Sequence, residues 1–335
     1  MPDQTALRRI LVTGVGANPG FGLARSLLRL GHRVVAVDAN PLAPGFFLDD
    51  VLPYVIPLAK DPDYPEAITG LCRALAVNAV VVGIENDLPP MLDLRPRLEA
   101  DDVRLWLPDS ESVHDCIDKA RFHHVLTEHG IPTPRTWDPE GLDLVPDGVE
   151  LVVKPRNGHG AQGVHMVNSR RHARVLCELV PAAIVQEHVR GTEFTADCLV
   201  DRDGRASTIL RKRDLVKNGC VAVSTTFEDQ AVHDAVVKTL QAVRAQGLSC
   251  VQGFITDDGI VIHELNVRIA GGSALAEAAG ADLVGQMVRG LFGEPVDHDQ
   301  LGYRPGVFLT NYLETLRVGD VAELDFAAAP KGGIV

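Results

Sequence analysis

Residues 251–273, VQGFITDDGIVIHELNVRIAGGS, predict a β-hairpin and the segment by which the chain leaves it. We expect one strand over residues 251–256 and a second over residues 259–265. The turn between them contains Asp257-Asp258-Gly259, in which glycine supplies the positive φ that tight hairpin turns require. The rest of the sequence is organised around this hairpin, because its side chains carry a pattern of oxygen ligands.

Three oxygen-bearing side chains follow the alternation of the hairpin. Glu264 and Asn266 are two residues apart and point to one face, and Gln252 on the partner strand can face them. One carboxylate and two amide oxygens suit a hard cation such as Mg²⁺ (or Mn²⁺), which completes its shell with water and phosphate oxygens. Arg268 follows on the same side, where it can hold phosphate. Because the three ligands carry a single charge, they predict a metal that arrives with a nucleotide.

The alternative is a hairpin with a solvated polar face. We rank it lower, because apolar Ile260 and Ile262 alternate with this set on the way to Glu264 and an arginine comes next.

Composition narrows the class of protein. The 335 residues suffice for two or three domains, and 46% hydrophobic and 23% charged residues are typical of globular chains. A net charge of −13 disfavours nucleic acid or an anionic membrane surface as a partner. No apolar run approaches the length of a membrane span, and the N-terminus has no signal-peptide pattern. The six cysteines are scattered along the sequence. We therefore expect an enzyme of the reducing cytoplasm.

The N-terminal hundred residues predict an α/β domain with a glycine-rich turn. The strand at residues 9–13 enters a turn with Gly14, Gly16 and Gly20, and Asp38 ends the second strand. This resembles a dinucleotide fingerprint, but the spacing is G-x-G-x-x-x-G. An NAD(P)-dependent oxidoreductase is therefore the alternative, and we favour a scaffold turn.

An acidic cluster, Glu85-Asn86-Asp87, follows the buried strand expected at residues 79–84. Ligands of open α/β sheets gather at such strand ends. The two carboxylates can bind a substrate ammonium group or cap the next helix, and the sequence favours neither.

A flexible flap is predicted in the middle of the chain. Lys154 ends the strand at residues 151–154, and the loop that follows contains Gly158, Gly160 and Gly163. Backbone N–H groups of such a loop can wrap phosphate oxygens, and the lysine can reach them. The loop is not a Walker A motif, because no Gly-Lys-Ser/Thr follows.

Two further segments carry candidate ligands. The strand at residues 183–187 can present its backbone to an adenine edge, and Glu193 is a candidate for ribose hydroxyls, although alone this segment is better explained as a plain connection. Arg211 and Arg213 end the strand expected at residues 207–212, where they share one face and suit anions better than a solvated edge.

The order of these features resembles the ATP-grasp superfamily. The shared pattern is Asp-Lys before a helix, a strand lysine with a glycine flap, Q-E-x-V-x-G-x-E-F, and Q…E-x-N-x-R followed by IAGGSALAEAAG. It is most similar to the ATP-binding halves of the carbamoyl-phosphate synthetase large chain and their stand-alone relatives. The expected fold is α/β, with α+β character in the ATP-binding part: a Rossmann-like domain at residues 1–112, a lid subdomain at 113–190 and a C-terminal subdomain with the metal site at 191–335.

The resemblance implies roles for the candidate residues. The lysines and glycines of this set would bind the nucleotide phosphates, and its remaining residues would bind adenine and ribose. The set is Lys119, Lys154, Gly158, Gly160, Gly163, Gln186, Glu187, Val189 and Glu193. The magnesium ligands would be Gln252, Glu264 and Asn266. The arginines at the transferred phosphate and the acyl phosphate would be Arg268, Arg211 and Arg213.

The implied activity is an ATP-dependent ligase. It would join a small carboxylic acid, expected to be an amino acid, to an amine through an acyl phosphate, with release of ADP and phosphate. Gln252 matches the carbamoyl-phosphate branch, whereas Val267 stands where relatives have proline. The missing duplicated half argues against a carbamoyl-phosphate synthetase. A non-catalytic ATP-binding protein is a second alternative, and a homodimer is a further expectation, because dimers are common in this superfamily.

Overall fold

The computed structural model of the protein describes residues 7–158, 160–217 and 219–311, and for Cys220 only the backbone. Within these residues the strands form three β-sheets. No helix of the described part is long and apolar enough to cross a membrane.

The first sheet is parallel and has the strand order β3-β2-β1-β4-β5. Its order reverses between β1 and β4, which is the place where open α/β sheets bind ligands, beyond the carboxyl ends of the strands. The strands are β1 (Arg9–Thr13), β2 (Arg33–Asp38), β3 (Val51–Val55), β4 (Ala79–Val81) and β5 (Arg104–Leu105). The helices are α1 (Asn18–Arg29), α2 (Tyr64–Ala74), α3 (Leu88–Ala100) and α4 (Ser110–Ile117).

The second sheet is small and follows the order β6-β9-β7-β8, with antiparallel neighbours. Its own apolar core includes Leu151, Val153 and Val185 and lies against α6. Its strands are β6 (Thr136–Trp137), β7 (Leu151–Pro155), β8 (His165–Val167) and β9 (Ala183–Glu187), and its helix is α6 (Arg170–Leu179). The preceding helix, α5 (Lys119–Glu128), packs instead against α4 and the hairpin strand β14 (Gly259–Asn266).

The third sheet is antiparallel, with the order β14-β13-β10-β11-β12-β15. Its strands are β10 (Thr192–Val200), β11 (Ala206–Lys217), β12 (Cys220–Thr226), β13 (Gly247–Thr256), β14 (Gly259–Asn266) and β15 (Phe308–Thr310). The accompanying helices are α7 (Gln230–Ala242), α8 (Ala274–Ala278) and α9 (Leu283–Leu291).

The first and third sheets share their buried cores. One apolar cluster contains Leu11 and Val80 of the first sheet together with Phe194 and Val251 of the third. Such a continuous core is close-packed, so it fixes the ligand-bearing edges of the two sheets relative to each other.

Several elements differ in length from the sequence prediction. The strand expected at residues 207–212 extends to Lys217, because β12 continues to pair with it beyond the end of β10. The helix expected from residue 23 begins at Asn18, since Pro19 fits the first turn of a helix. The first hairpin strand begins at Gly247, four residues earlier than expected, because β10 pairs with it along this length.

Candidate active site

The hairpin of β13 and β14 brings the three predicted magnesium ligands to one sheet face. Gln252 pairs directly with Glu264, and Cys250 pairs with Asn266. The Asn266 side chain donates from Nδ2 to Glu264 Oε1 at 3.3 Å, and its Oδ1 accepts a hydrogen bond from Arg268 Nη2 at 2.9 Å. Hydrogen bonds thus connect Glu264, Asn266 and Arg268 in one row, and Gln252 lies opposite Glu264 on the neighbouring strand.

A β-bulge at His263 corrects one part of the sequence argument. Regular alternation would place Ile260 and Ile262 on the same face as Glu264. The ladder instead pairs Gly253 with Ile262 and Gln252 with Glu264, so His263 is the extra residue. The bulge shifts the alternation by one, and Ile262 is fully buried in the apolar core while Glu264 faces the polar side.

Sequence reasoning missed His263 altogether. Its ring packs against Phe254, with the ring centroids 5.0 Å apart, and its Nε2 has no hydrogen-bond partner among the described residues. Burial, with the repulsion of nearby Lys154 adding to it, lowers the pKa of His263 to about 3, so the imidazole is neutral. The sequence held no signal for it, because a regular strand would have turned it towards the core.

Two lysines face Glu264 from the other side of the site. Lys154 in β7 is 7% exposed, and burial lowers its pKa to about 8 despite the attraction of Glu264. Burial also disfavours the Glu264 carboxylate, but Lys119 and Lys154 outweigh it and hold the pKa of Glu264 below its usual value. The site therefore gathers an ionised carboxylate of the third sheet, a lysine of the second sheet and a lysine at the start of α5.

The start of α5 anchors one of these lysines. Asp118 caps the helix by accepting hydrogen bonds from two backbone N–H groups, and Arg156 donates to it at 2.7 Å. Lys119 begins the helix, and its Nζ donates to the carbonyl oxygen of Gly158 at 2.6 Å. The lysine thus lies at the base of the glycine flap.

The flap itself depends on glycine at the predicted positions. Gly158, Gly160 and Gly163 have φ values of 150°, 65° and 67°, which favour glycine over other residues. Gly219, in the turn between β11 and β12, meets the flap so closely that a Cβ there would lie 2.6 Å from Gly160 O. The β11–β12 hairpin and the flap therefore touch above the site.

Side chains at the predicted adenine end are engaged within the second sheet. Gln186 is 4% exposed and donates from Nε2 to Thr136 Oγ1 at 2.8 Å. The Glu187 carboxylate receives two hydrogen bonds from Arg135, at 2.8 and 3.0 Å. The Glu187 N–H also donates to Arg135 O at 2.9 Å, which leaves the carbonyl oxygen of Glu187 and the backbone of Val189 as groups that could contact adenine.

The two arginines of β11 share one face, as predicted, and face acids of β10. Arg213 Nε lies 2.8 Å from Glu193 Oε1, so the predicted ribose ligand is next to a cation. Arg211 is 1% exposed and paired with Asp197 at 2.8 Å. Its Nη1 has no partner among the described residues and lies 2.9 Å from where a Cβ of Gly272 would be.

The first sheet contributes Glu85, whose role the sequence left open. Asp87 stands at the N-cap position of α3 but makes no side-chain capping hydrogen bond, so the capping alternative is not supported. Burial, supported by repulsion from Glu264 and opposed by attraction to Arg268, raises the pKa of Glu85 to about 7. Glu85 therefore lies within electrostatic reach of the hairpin.

The glycine-rich turn after β1 is tightly packed. A Cβ at Gly20 would lie 2.3 Å from the carbonyl oxygen of Gly14, and Gly16 N donates to Asp38 Oδ2 at 2.7 Å. These close approaches explain the glycines without a bound dinucleotide.

Comparison with known proteins fits this geometry. The protein-family model described as "ATP-grasp domain" matches residues 116–272, and the model described as "PylC-like, N-terminal domain" matches residues 10–105. The chain contains an ATP-grasp domain. The resemblance and the α/β fold predicted from the sequence are thereby confirmed. The ATP-grasp region holds the second sheet and the metal-ligand hairpin, whereas Glu85 comes from the PylC-like region.

Individual relatives share the ATP-grasp fold at low identity. The carbamoyl phosphate synthase large chain of Methanothrix thermoacetophila is 20% identical over 320 residues, which cover 83% of this chain and 29% of that protein. This chain thus spans less than a third of that relative. The D-alanine–D-alanine ligase of Mycobacterium ulcerans is 31% identical over 171 residues, 40% of this chain and 43% of the ligase. The L-amino acid ligase of Bacillus licheniformis superposes with a TM-score of 0.72 at 18% identity, covering 89% and 77% of the two chains.

The donor set at the hairpin suits a hard cation. The described residues contain no group of three or more His, Cys, Asp or Glu side chains of the kind that holds a metal alone. Gln252, Glu264 and Asn266 offer oxygen atoms only, with one charge between them, so they fit a Mg²⁺ ion that keeps phosphate and water ligands.

Proposed function

We propose that this ATP-grasp protein is a ligase that joins a small carboxylic acid, an amino acid by preference, to an amine. ATP would phosphorylate the carboxylate, the amine would attack the acyl phosphate, and ADP and phosphate would leave. The observation that carries this proposal is the meeting of Lys119, Lys154, Glu264 and Arg268, which come from different parts of the fold.

The lysines and the flap would bind the nucleotide phosphates. Lys154 is already desolvated, so its charge would act on phosphate oxygens in a medium of low dielectric constant. The loop from Gly158 to Gly163 would close over the phosphates and keep water from the acyl phosphate. Glu193 would bind ribose, and the backbone near Val189 would bind adenine.

Charge stabilisation and positioning would provide most of the catalysis. Gln252, Glu264 and Asn266 would hold Mg²⁺, or Mn²⁺, whose charge would neutralise phosphate oxygens. Arg268 would steady the transferred phosphoryl group, with Arg213 beside it. Arg211, buried with Asp197, would act on the substrate side through its unpaired Nη1.

The domain division that we propose is residues 1–112, 113–190 and 191–335, of which residues 312–335 lie outside the described part. The homodimer also stays a prediction.

A matrix of carboxylic acids and amines, with ADP formation and product mass measured together, tests the ligase. We expect ADP release that depends on both an acid and an amine. Glu264→Gln should abolish it by removing the one charge of the metal set, whereas Asp258→Asn, an exposed acid in the turn of the same hairpin, should not. Full turnover by Glu264→Gln would contradict the assigned site.

Two other functions would give different results. NAD(P)H binding without ATP binding, measured by fluorescence titration, would favour the oxidoreductase. ATP binding without turnover across the whole matrix would favour a non-catalytic nucleotide-binding protein.

A further inference from the structure

A cavity of about 600 Å³ opens beside the candidate active site. It lies beyond the carboxyl ends of β1, β2 and β4, where the strand order of the first sheet reverses. The residues that line it include Gly14, Asp38, Tyr64, Glu85, Asp87 and Gly158. Because Gly158 belongs to the flap base, the cavity reaches from the first sheet to the place where the nucleotide phosphates are proposed to bind.

Carboxylates supply most of the charge of this cavity. Glu85 is 8% exposed, and no described residue donates a hydrogen bond to its side chain. Asp87 is 4% exposed and faces Thr13 and Tyr64. A buried carboxylate without a donor is costly, so Glu85 is suited to a ligand that brings its own hydrogen-bond donors and positive charge, and Asp87, which has Thr13 and Tyr64 as neighbouring donors, adds a second negative charge.

The neighbouring polar groups support the same class of ligand. Tyr64 is 1% exposed, and its hydroxyl lies beside Asp87 without an aligned hydrogen-bond partner among the described residues. Asp38 already accepts backbone hydrogen bonds from Gly16 and Asn40, at 2.7 and 2.8 Å, so part of its acceptor capacity is used within the turn and it adds charge to the cavity. Lys60, the one cation among the described lining residues, is exposed and can extend into solvent.

The rest of the wall is apolar. Ile56, Pro57 and Leu58 lie on one side, and Pro89 and Pro90 lie on the other. A ligand with a hydrocarbon body would bury that body here while its charged end meets the carboxylates.

We propose that this cavity binds the amine substrate as an alkylammonium ion, held by Glu85 and Asp87. The inference rests on the proposed ligase function and names the chemical class of its nucleophile, which would attack as the neutral amine after the ammonium ion has given one proton to a carboxylate of the cavity. Glu85 is the acceptor nearest the reacting centre, because it also lies within electrostatic reach of Glu264, Arg268 and Lys119. The acid substrate would belong on the opposite side, near the unpaired Nη1 of Arg211, since a carboxylate in the cavity would be repelled by its acids.

Binding of three probes of equal length to the full chain tests the charge preference. Hexylammonium, 1-hexanol and hexanoate would be compared by ligand-observed NMR at pH 8, where Glu85 is ionised. We expect hexylammonium to bind most tightly and hexanoate least. Hexylammonium that binds no more tightly than 1-hexanol would overturn the proposal.

Two variants locate the binding. Glu85→Gln and Asp87→Asn should each weaken hexylammonium binding by about tenfold to a hundredfold, the range for a lost hydrogen bond to a charged group. Asp63→Asn, an exposed acid next to Tyr64, makes the same change of charge and should leave the affinity unaltered. Unchanged affinity in both cavity variants, with native circular dichroism, would place the amine elsewhere.

ATP affinity measured in the same samples separates the two proposals. Failure of the wild type to bind ATP would remove the ligase function itself. Tight ATP binding without a preference for hexylammonium would remove only the amine cavity.

Discussion

Replacing Glu85 by glutamine should stabilise the protein at alkaline pH. The pKa of Glu85 is raised from 4.5 to about 7, with burial as the main cause. Between these values the folded chain keeps a proton that the unfolded chain releases, so the free energy of unfolding falls as the pH rises. The stabilisation is therefore complete below about pH 4.5 and is lost as the pH passes through about 7.

The size of the effect follows from the same two values. A rise from 4.5 to about 7 corresponds to about 3 kcal/mol, at about 1.4 kcal/mol per pH unit. For cooperative unfolding of 335 residues, an unfolding entropy of about 0.7 kcal/mol/K converts this to about 4 °C in Tm. Most of the change falls between pH 5 and pH 8.

Differential scanning calorimetry of Glu85→Gln and wild type at pH 5 and pH 8 measures this. The Tm of the variant should gain about 4 °C on that of the wild type over this interval. Asp63→Asn, whose acid is exposed, should show no such gain. Asp87→Asn should behave like Glu85→Gln but with a window that ends earlier, because the pKa of Asp87 is raised only to about 6. Equal Tm differences at both pH values would refute the burial argument.

Three other predictions address the nucleotide site and its support. Because burial lowers the pKa of Lys154 to about 8, the lysine loses its positive charge above pH 8, and ATP affinity should then fall by at most about tenfold per pH unit. Lys154→Arg should remove this pH dependence, as measured by calorimetric titration with ATP. Gly219→Ala should raise KM for ATP about fivefold, equivalent to about 1 kcal/mol, because the new Cβ would press on the carbonyl oxygen of Gly160 in the flap. The control is Gly204→Ala, which should leave KM unchanged, because Gly204 has a similar φ of 85° but open space around it. Asp197→Asn should cost about 3–5 kcal/mol in urea unfolding, since it leaves the buried Arg211 charge unpaired; a loss below 1 kcal/mol would contradict this.

Local pattern was enough to predict the hairpin that carries Gln252, Glu264 and Asn266 and the glycine-rich loop after β7. Glu264 and Asn266 share a face because side chains in a strand alternate, which needs no tertiary information. The flap glycines were predicted from composition, and their φ values agree with this. Lys154 was predicted to end a strand of apolar residues, and it lies in β7, one residue before the strand ends at Pro155.

Features that depend on distant parts of the chain could not be predicted. Glu187 is held by Arg135, which is 52 residues away, so its side-chain partner is not visible in the sequence around it. Glu85 approaches the hairpin only because the first and third sheets share a core. The position of the bulge at His263 depends on how two strands pair, and a single strand does not encode it.

The bulge has a consequence for how β14 tolerates insertions and deletions. With His263 left out, residues 260–266 alternate regularly, with Ile262 and Leu265 inward and Glu264 and Asn266 outward. A strand without His263 would therefore keep the same side chains on each of its two faces. The histidine is thus an extra residue that does not change which side chains point inward and which point outward. Losing Leu265 instead would put either Glu264 or Asn266 on the inward face, so His263 is the residue whose loss this strand absorbs without turning a predicted metal ligand into the core.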